Sequence, residues 1–207
     1  MYADRVEQAI EIVETAFVRH DDVAVACSFG KDSMVVVDIA TSLDPDVPVF
    51  AVLPDTEFER TLEFRDRVVE DYDLEYEEYG FEQPPEAYED VSVCCGEPKV
   101  ERTREALESY DAWLSGVRRT ESSERRGHDY VERDGTPKYN PILDFTETDV
   151  WRYLALEGVP VNPVYRDGYR SLGCRLCTSL PEPGESERGG RWRGVDKTEC
   201  GIHTESI

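Results

Sequence analysis

The chain has 207 residues, 39% of them hydrophobic, with 46 acidic residues against 23 basic ones and a formal net charge of −23. This length suits one well-buried core and is too short for two full-sized domains. The sequence contains no run of 18 apolar residues that would indicate a membrane span. So much negative charge would repel nucleic acid and anionic membranes, which argues against general nucleic-acid binding and membrane association.

The first half of the chain predicts alternating helices and strands. Residues 2–19 carry apolar side chains at spacings of four, three and four, which indicates an amphipathic helix and not a secretory signal. This alternation predicts right-handed crossovers and a Rossmann-like α/β fold, with a mainly parallel twisted sheet and helices on both faces. The following elements are strand 23–29, helix 33–43, strand 47–53, helix 57–72, strand 74–79, helix 97–110 and strand 112–117.

A hairpin and another helix are predicted in the second half of the chain. Residues 130–139 contain Asp134-Gly135, a two-residue signal for a tight β-hairpin. Residues 146–156 form a plausible helix, because Thr146 is suited to its N-terminal cap and Asp149 stands at the position that completes a capping box.

The last part of the chain differs in composition from the rest. Residues 181–197 contain four glycines, two prolines and many charged side chains, which is typical of a flexible linker. The linker leads to a solitary cysteine, Cys200. We therefore expect an α/β domain over residues 1–180 and a mobile C-terminal tail over residues 181–207 that carries this thiol.

A loop suited to anions connects the first predicted strand to the second helix. Its residues are Ser28, Phe29, Gly30, Lys31, Asp32 and Ser33. Backbone N–H groups at a helix N-terminus, the helix dipole and a lysine can together hold phosphate-like oxygens. The spacing is not that of a Walker A loop. The loop instead resembles the Ser-Gly-Gly-Lys-Asp-Ser loop of the adenine nucleotide alpha hydrolase group, which includes N-type ATP pyrophosphatases and sulfonucleotide reductases.

Four cysteines occur as two close pairs, Cys94-Cys95 and Cys174-x-x-Cys177. In a chain without a secretory signal, this pattern favours a metal or cluster over structural disulfides. We expect a 4Fe–4S cluster. Zinc is the main alternative, but the pairs of a four-cysteine zinc site are usually separated by two to four residues, whereas Cys94 and Cys95 are adjacent. The later pair alone would also suit a thioredoxin-like redox motif, but it lies late in the chain, after the predicted core elements, and not at the start of a helix in a short thioredoxin fold.

With these features, the chain resembles the phosphoadenylylsulfate/adenylylsulfate reductase family over nearly its whole length. The resemblance implies an adenine nucleotide alpha hydrolase-like fold. It also implies an oxidoreductase of assimilatory sulfate reduction that converts adenylylsulfate or phosphoadenylylsulfate to sulfite plus AMP or adenosine 3′,5′-bisphosphate. The matching segments are residues 28–33, Asp55-Thr56, Cys94-Cys95 with Lys99, residues 115–119, Asn162-Pro163, residues 173–178 and residues 197–203.

The resemblance implies a role for each matching residue. Cys200 would attack the substrate sulfur and form a Cys-S-sulfonate, which a thiol of thioredoxin or glutaredoxin would then resolve. Lys99 would lie between cluster and sulfate, and Arg118 and Arg119 would meet the phosphosulfate. The cluster ligands would be Cys94, Cys95, Cys174 and Cys177. The substrate-binding set would be Ser28, Gly30, Lys31, Asp32, Ser33, Asp55, Thr56, Lys99, Arg118 and Arg119.

The implied chemistry requires positive charge around the nucleophile. Attack on sulfur needs a thiolate, and a free cysteine is mostly protonated at neutral pH, so the site needs nearby cations or donors. The same groups would stabilise the oxygens that gain charge as the sulfur–oxygen bond breaks. His203 is a second catalytic candidate because it lies three residues after Cys200. The cationic candidates are Lys31, Lys99, Arg118, Arg119 and His203.

Two departures from the family keep other functions open. The family's Leu-Asp-Thr-Gly segment is Leu53-Pro54-Asp55-Thr56-Glu57 here, and the anion loop keeps the Lys31-Asp32 pair of ATP-hydrolysing relatives. The Lys31-Asp32 pair supports an ATP-dependent sulfur-insertion or nucleotide-activating enzyme as an alternative, although such an enzyme has no obvious use for the Cys200 tail. A second alternative is a non-catalytic iron–sulfur redox sensor, which would need no mobile nucleophile. The sequence predicts a cytoplasmic protein. It leaves open whether the substrate carries a 3′-phosphate and whether the chain forms a homo-oligomer.

Overall fold

The computed structural model of the chain describes residues 1–203 and residue 207, apart from the side chain of His203. Helices and strands alternate along most of these residues, and no helix among them is long and apolar enough to cross a membrane. The elements are α1 (Tyr2–Arg19), β1 (Val23–Ala26), α2 (Lys31–Leu43), β2 (Val49–Pro54), α3 (Glu59–Asp71), β3 (Tyr76–Phe81), α4 (Glu97–Leu107), β4 (Ala112–Leu114), β5 (Val131–Glu132), β6 (Lys138–Tyr139) and α5 (Glu147–Glu157).

The strands form one sheet in the order β3-β2-β1-β4-β6-β5. All neighbouring pairs are parallel except β5 and β6, which form the predicted hairpin with Gly135 at a φ of 93°. Parallel neighbours need crossover connections, and helices α2, α3 and α4 supply them for the first four strands. The predicted mainly parallel α/β fold is confirmed.

The central strands are buried on both faces, which explains why they appear in the sequence as continuous apolar runs. Alternate residues of β2 enter different cores. Val49, Ala51 and Leu53 pack in the core formed with α1, α2, α3 and α5. Phe50 and Val52 pack on the opposite face with α4. The sheet is therefore covered by helices on both sides.

A crevice opens where the chain changes direction beside β1. Helix α2 connects β1 to its neighbour β2 on one side of β1. Helix α4 later leads the chain from β3 to β4, which lies on the other side of β1. Ligands of such sheets bind at this switch point. Strand β1 ends at Ala26, earlier than predicted, because Phe29 has a φ of 56° and the chain turns into α2. Strand β4 also ends early, and a Cβ at Gly116 would lie only 2.9 Å from the backbone nitrogen of Ser33.

The predicted cap of α5 is confirmed and links two helices. The Thr146 hydroxyl accepts a hydrogen bond from the backbone N–H of Asp149 at 3.2 Å, and the Asp149 carboxylate accepts one from the Thr146 N–H at 2.8 Å. Arg5 of α1 also donates to Asp149, at 2.5 Å. This capping box therefore fixes the start of α5 and ties it to α1.

The C-terminal segment packs against the crevice. Glu187, Arg188, Trp192 and Cys200 are all buried, and Arg191 forms an isolated antiparallel bridge with Thr178. The structure therefore describes the tail in a closed position. The predicted mobility of this tail stays a prediction.

Candidate active site

A cavity lies beyond the C-terminal ends of β1, β2 and β4 and beneath the tail. Its volume is about 180 Å³, which is smaller than the roughly 300–1,000 Å³ usual for pockets that hold small molecules. The docked tail supplies part of the wall, including Arg188, Arg191, Trp192 and Cys200. Its walls include residues of the anion loop, one cysteine of each pair (Cys95 and Cys174), and the tryptophans Trp113 and Trp192.

The anion loop lies at this cavity as predicted from its position after β1. Gly30 precedes the first turn of α2, and Ser28 and Ser33 bring their hydroxyls to 3.5 Å from each other. The side-chain amide of Asn162 donates to the carbonyl of Phe29 at 3.1 Å, which supports the loop from below. Four of the predicted loop residues line the cavity: Ser28, Gly30, Asp32 and Ser33.

Lys31 and Arg118 are buried in an ion cluster and do not line the cavity. The Lys31 ammonium lies 2.7 Å from the Glu187 carboxylate and 3.1 Å from that of Asp32, and it donates to the Arg170 carbonyl at 2.8 Å. Arg118 donates to Asp32 at 2.7 Å and also pairs with Glu187. Two carboxylates therefore already neutralise both predicted anion-binding cations when the tail is docked.

The remaining predicted substrate residues lie outside the cavity, except Lys99. Arg119 pairs with Asp144 at 3.1 Å and stands over the ring of Tyr130. Asp55 is exposed and accepts the backbone N–H of Gln83 at 2.9 Å. Thr56 is buried, and its carbonyl accepts a hydrogen bond from the N–H of Arg175 beside the second cysteine pair.

The two cysteine pairs converge at one side of the cavity. All four thiols are buried and free of disulfides. The sulfurs of Cys94, Cys174 and Cys177 lie within 4.8 Å of one another, with Cys174 3.9 Å from each of the other two. Cys95 takes a φ of 55°, and the Gln83 amide lies 4.0 Å from its sulfur. The three thiols of Cys94, Cys174 and Cys177, grouped in this way, fit a site that binds metal.

Two cations compensate the charge of these sulfurs. Arg191 donates to the Cys177 sulfur at 3.4 Å, and the pKa of Cys177 is lowered by hydrogen bonds from Cys174 and then by other neighbours that include Arg191. Burial alone would lower the pKa of Lys99, but the Cys200 and Cys95 sulfurs raise it above its ordinary value. Lys99 is therefore a cation at neutral pH and lines the cavity.

Cys200 lies in the same cavity as Lys99 and is held by backbone contacts. The N–H of Gly201 donates to the carbonyl of Cys95 at 3.2 Å. A hydrogen bond from Cys95 lowers the pKa of the Cys200 thiol to about 5 against the opposing effect of burial, and Lys99 adds to this lowering. The arrangement thus favours a thiolate at the position predicted for the nucleophile. The prediction for the side chain of His203 lies outside what the structure describes.

Among the cavity-lining side chains that sequence reasoning missed are Glu57, Arg188, Arg191 and Trp192. Arg191 stacks on the ring of Trp192 at 4.3 Å. Burial raises the pKa of Glu57 to about 7. A tryptophan flanked by arginines was the available signal, because an aromatic residue is unusual in a stretch that only serves as a linker.

The chain is similar to known reductases over most of its length. The phosphoadenosine phosphosulfate reductase domain family matches residues 22–180. An adenosine 5′-phosphosulfate reductase of Halalkalibacterium halodurans is 34% identical over 212 residues, covering 95% of this chain and 92% of the relative. Adenosine 5′-phosphosulfate reductase 1 of Bacillus subtilis is 34% identical over 215 residues, covering 97% and 92%.

Solved structures support the fold. A phosphoadenylyl-sulfate reductase from Candida auris superposes with a TM-score of 0.72 at 19% identity, over 83% of this chain and 90% of that one. A Candida glabrata FMN adenylyltransferase superposes with a TM-score of 0.71 at 16% identity, over 96% and 75%. From the matched residues and from the two bacterial relatives, the chain belongs to the phosphoadenosine phosphosulfate reductase family.

Proposed function

We propose that this protein is a sulfonucleotide reductase that uses Cys200 to take the sulfonate group from adenylylsulfate and releases it as sulfite. The proposal rests on one observation, which is that Cys200 shares a cavity with the anion loop, with Lys99 and with one cysteine of each pair, Cys95 and Cys174. A buried thiol that shares its cavity with Lys99 and Arg191 suits a nucleophile for a sulfonate. Family membership and the names of the relatives support the same reaction.

In the first step, the Cys200 thiolate attacks the substrate sulfur while the bond from sulfur to the bridging phosphate oxygen breaks. The electron pair of that bond leaves with the nucleotide, and Cys200 carries an S-sulfonate. Charge grows on the phosphate oxygens, so Lys99 and Arg191 would stabilise the transition state. The N–H groups of the anion loop would hold the nucleotide phosphate.

In the second step, an external dithiol completes the reduction. One thiolate attacks the Cys200 sulfur, sulfite leaves with the electron pair of the sulfur–sulfur bond, and a mixed disulfide forms. The second thiol of the donor then displaces Cys200 and is oxidised to a disulfide. Because the docked tail buries Cys200, this step requires the tail to open. Thioredoxin or glutaredoxin fits the requirement for a dithiol.

We also propose that Cys94, Cys95, Cys174 and Cys177 hold a 4Fe–4S cluster. The donor set fits, because the thiols are buried, unpaired by disulfides and compensated by nearby cations. When bound, the cluster would supply metal–thiolate bonds that join the two cysteine loops and would add its charge beside the cavity. The protein's own contribution there is to orient Lys99 and to hold the tail.

The substrate we favour is adenylylsulfate without a 3′-phosphate, because both bacterial relatives described above are named for it. We also propose a cytoplasmic location, because six cysteines without disulfide bonds suit a reducing compartment. An assay with both sulfonucleotides distinguishes the substrates.

The direct test is to mix anaerobically purified protein with adenylylsulfate and no reductant. The peptide that contains Cys200 should gain the mass of one SO₃ group, and a dithiol added later should release sulfite. Cys200→Ser should keep its iron and bind nucleotide but form no adduct, because a serine hydroxyl is a far poorer nucleophile toward sulfur. An adduct on another cysteine, or sulfite from Cys200→Ser at the wild-type rate, would contradict the mechanism.

One observation favours the ATP-dependent alternative. Carboxylate oxygens of Asp32, Glu121 and Glu187 lie within 4.8 Å of one another, as in a site for a divalent cation. However, Lys31 and Arg118 already pair with Asp32 and Glu187, which leaves little negative charge for a metal ion. Release of pyrophosphate from ATP would support this alternative over the reductase.

A further inference from the structure

Glu199, the residue before Cys200, makes an unusually complete set of contacts for a side chain of the tail. Arg125 donates from Nε to one carboxylate oxygen at 2.6 Å and from Nη2 to the other at 2.8 Å. Arg188 donates to the carboxylate at 2.7 Å, and the N–H of Cys200 does so at 3.1 Å. The carboxylate is buried, so each of these charge-assisted bonds is shielded from solvent.

Arg125 belongs to the core and not to the tail. It lies in a short 3₁₀ helix, Glu124–Gly127, which follows β4. On its other side its guanidinium pairs with Glu121. A guanidinium held in this way binds a carboxylate in one orientation only, because its two parallel N–H···O hydrogen bonds fix both the distance and the plane of the carboxylate. Arg125 therefore offers the tail a preformed receptor in the wall of the cavity.

The tail around Cys200 is thus held by two anchors. On the cysteine-cluster side, Lys197 donates to the carbonyls of Ser92 and Cys94 at 2.9 and 2.5 Å. The second anchor is the Arg125–Glu199 pair, which joins residues 74 positions apart. Lys197 and Glu199 both lie shortly before Cys200 in the chain, so these anchors restrict the position and the direction of its thiol, and such restriction lowers the entropic barrier to attack.

We propose that Arg125 is a positioning residue for the sulfur transfer: by binding Glu199 it sets Cys200 in register with the substrate sulfur. This inference rests on the reductase function proposed above. Arg125 acts through Glu199 and does not touch the reacting atoms. Its loss should therefore slow formation of the S-sulfonate and leave the affinity for nucleotide unchanged.

The test is single-turnover S-sulfonation of Cys200 with adenylylsulfate, followed by mass spectrometry, together with nucleotide binding measured with AMP. In Arg125→Met and Glu199→Gln the rate should fall roughly ten- to hundredfold, the range expected when one charged partner of a buried hydrogen-bonded pair is lost. Arg125→Lys keeps the positive charge but loses the two parallel hydrogen bonds of the guanidinium, so its rate should lie between those of wild type and Arg125→Met. Arg126→Met is the matched control, because Arg126 is exposed on the same 3₁₀ helix, and it should react at the wild-type rate.

Iron content and AMP affinity should match wild type in all four variants. Wild-type rates in both Arg125→Met and Glu199→Gln would overturn the inference, as would weaker AMP binding in Arg125→Met, which would make Arg125 a ligand of the nucleotide. If Arg125→Met does not fold, Glu199→Gln decides alone, because it changes only the tail. Absence of any adduct in wild-type protein would instead contradict the reductase function.

Discussion

The Cys200 sulfur lies 4.0 Å from the backbone carbonyl oxygen of Cys95. The proposed nucleophile therefore docks on the loop that bears one of the two cysteine pairs. Closure of the tail and order in the cysteine loops must consequently depend on each other.

Anaerobically purified protein should contain about four irons per chain, because two thiol pairs suit a cubane cluster. Cys94→Ser and Cys177→Ser should lose most of this iron, since each removes a thiolate from the group of sulfurs that converge. Cys27→Ser is the matched control, because Cys27 is buried but bonds to Ser33 instead. Iron is measured by a colorimetric assay alongside zinc. Stoichiometric zinc without iron would contradict the cluster.

Replacing Lys99 with alanine should lower kcat/KM for adenylylsulfate roughly ten- to hundredfold, as expected for the loss of one charge-assisted contact to an anion. Arg102→Ala provides the control. Arg102 lies one turn further along α4, but it is half exposed and pairs with Glu105, so its loss should change kcat/KM little. Equal kinetics in the two variants would show that the anion is bound elsewhere.

Glu132 should stabilise the fold at neutral pH and lose this effect in acid. Burial alone would raise its pKa, but hydrogen bonds from His128 and Lys138 lower it to about 2 from the ordinary 4.5. Because the carboxylate has a lower pKa in the folded state than in the unfolded state, it contributes its full stabilisation of the fold above about pH 4.5. This contribution decreases as the pH falls toward 2. Glu132→Gln should thus be less stable than wild type by roughly 1–2 kcal/mol at pH 7.

The measurement for Glu132 is urea denaturation of both proteins from pH 7 to pH 3. The difference in the free energy of unfolding should shrink below about pH 4.5. Asp129→Asn, an exposed substitution in the same segment, controls for the loss of one acidic residue. A difference between Glu132→Gln and wild type that stays constant with pH would contradict the assigned pairing.

The net charge of −23 predicts a stability that rises with salt. Ions screen repulsion between surface carboxylates over a Debye length of about 10 Å at 0.1 M. The thermal midpoint should therefore increase between 0.1 and about 1 M KCl, where the Debye length is about 3 Å. A variant that neutralises three exposed acids, Glu70→Gln with Asp71→Asn and Glu75→Gln, should respond less. An unchanged salt response in this variant would assign the effect to ion hydration instead.

The sequence was a good guide to the sheet because burial on both faces produces apolar runs that are visible without the fold. The same holds for the cap of α5, since Thr146 and Asp149 act over three residues. Strand ends were less predictable. The left-handed conformation of Phe29 and the close approach of Gly116 to α2 are consequences of tertiary contacts and leave no local signal.

In the site, too, local sequence patterns were predictable and tertiary contacts were not. Thiol pairs and the anion loop are local patterns, and the structure brings both to one cavity. Ion pairing is not local: the charge of Lys31 is compensated by Glu187, which lies in a segment that the sequence identified only as a linker. The neighbours of Arg118 and Arg119 likewise depend on the fold, so adjacent arginines have separate surroundings.

Glu187→Gln should loosen the docked tail. In the closed position Glu187 neutralises Lys31 at 2.7 Å and also pairs with Arg118, and all three side chains are buried. Without this carboxylate, Lys31 keeps only Asp32, which it shares with Arg118, and Arg118 keeps in addition the longer contact with Glu121 at 4.0 Å, which disfavours the closed state. Because the open state is already accessible during turnover in the proposed mechanism, the effect should appear as more frequent opening and not as global unfolding.

Limited trypsin digestion measures this opening, since the tail contains Arg188, Arg191, Arg193 and Lys197 as cleavage sites. When reclosing is faster than cleavage, the cleavage rate follows the open population. Tail cleavage in Glu187→Gln should therefore be roughly ten- to hundredfold faster, as expected for loss of a buried charged partner. Glu185→Gln is the control: Glu185 pairs with Arg193 at 2.7 Å but at a partly exposed site, where such pairs contribute little. Equal cleavage of both variants would show that the Lys31–Glu187 contact does not hold the tail.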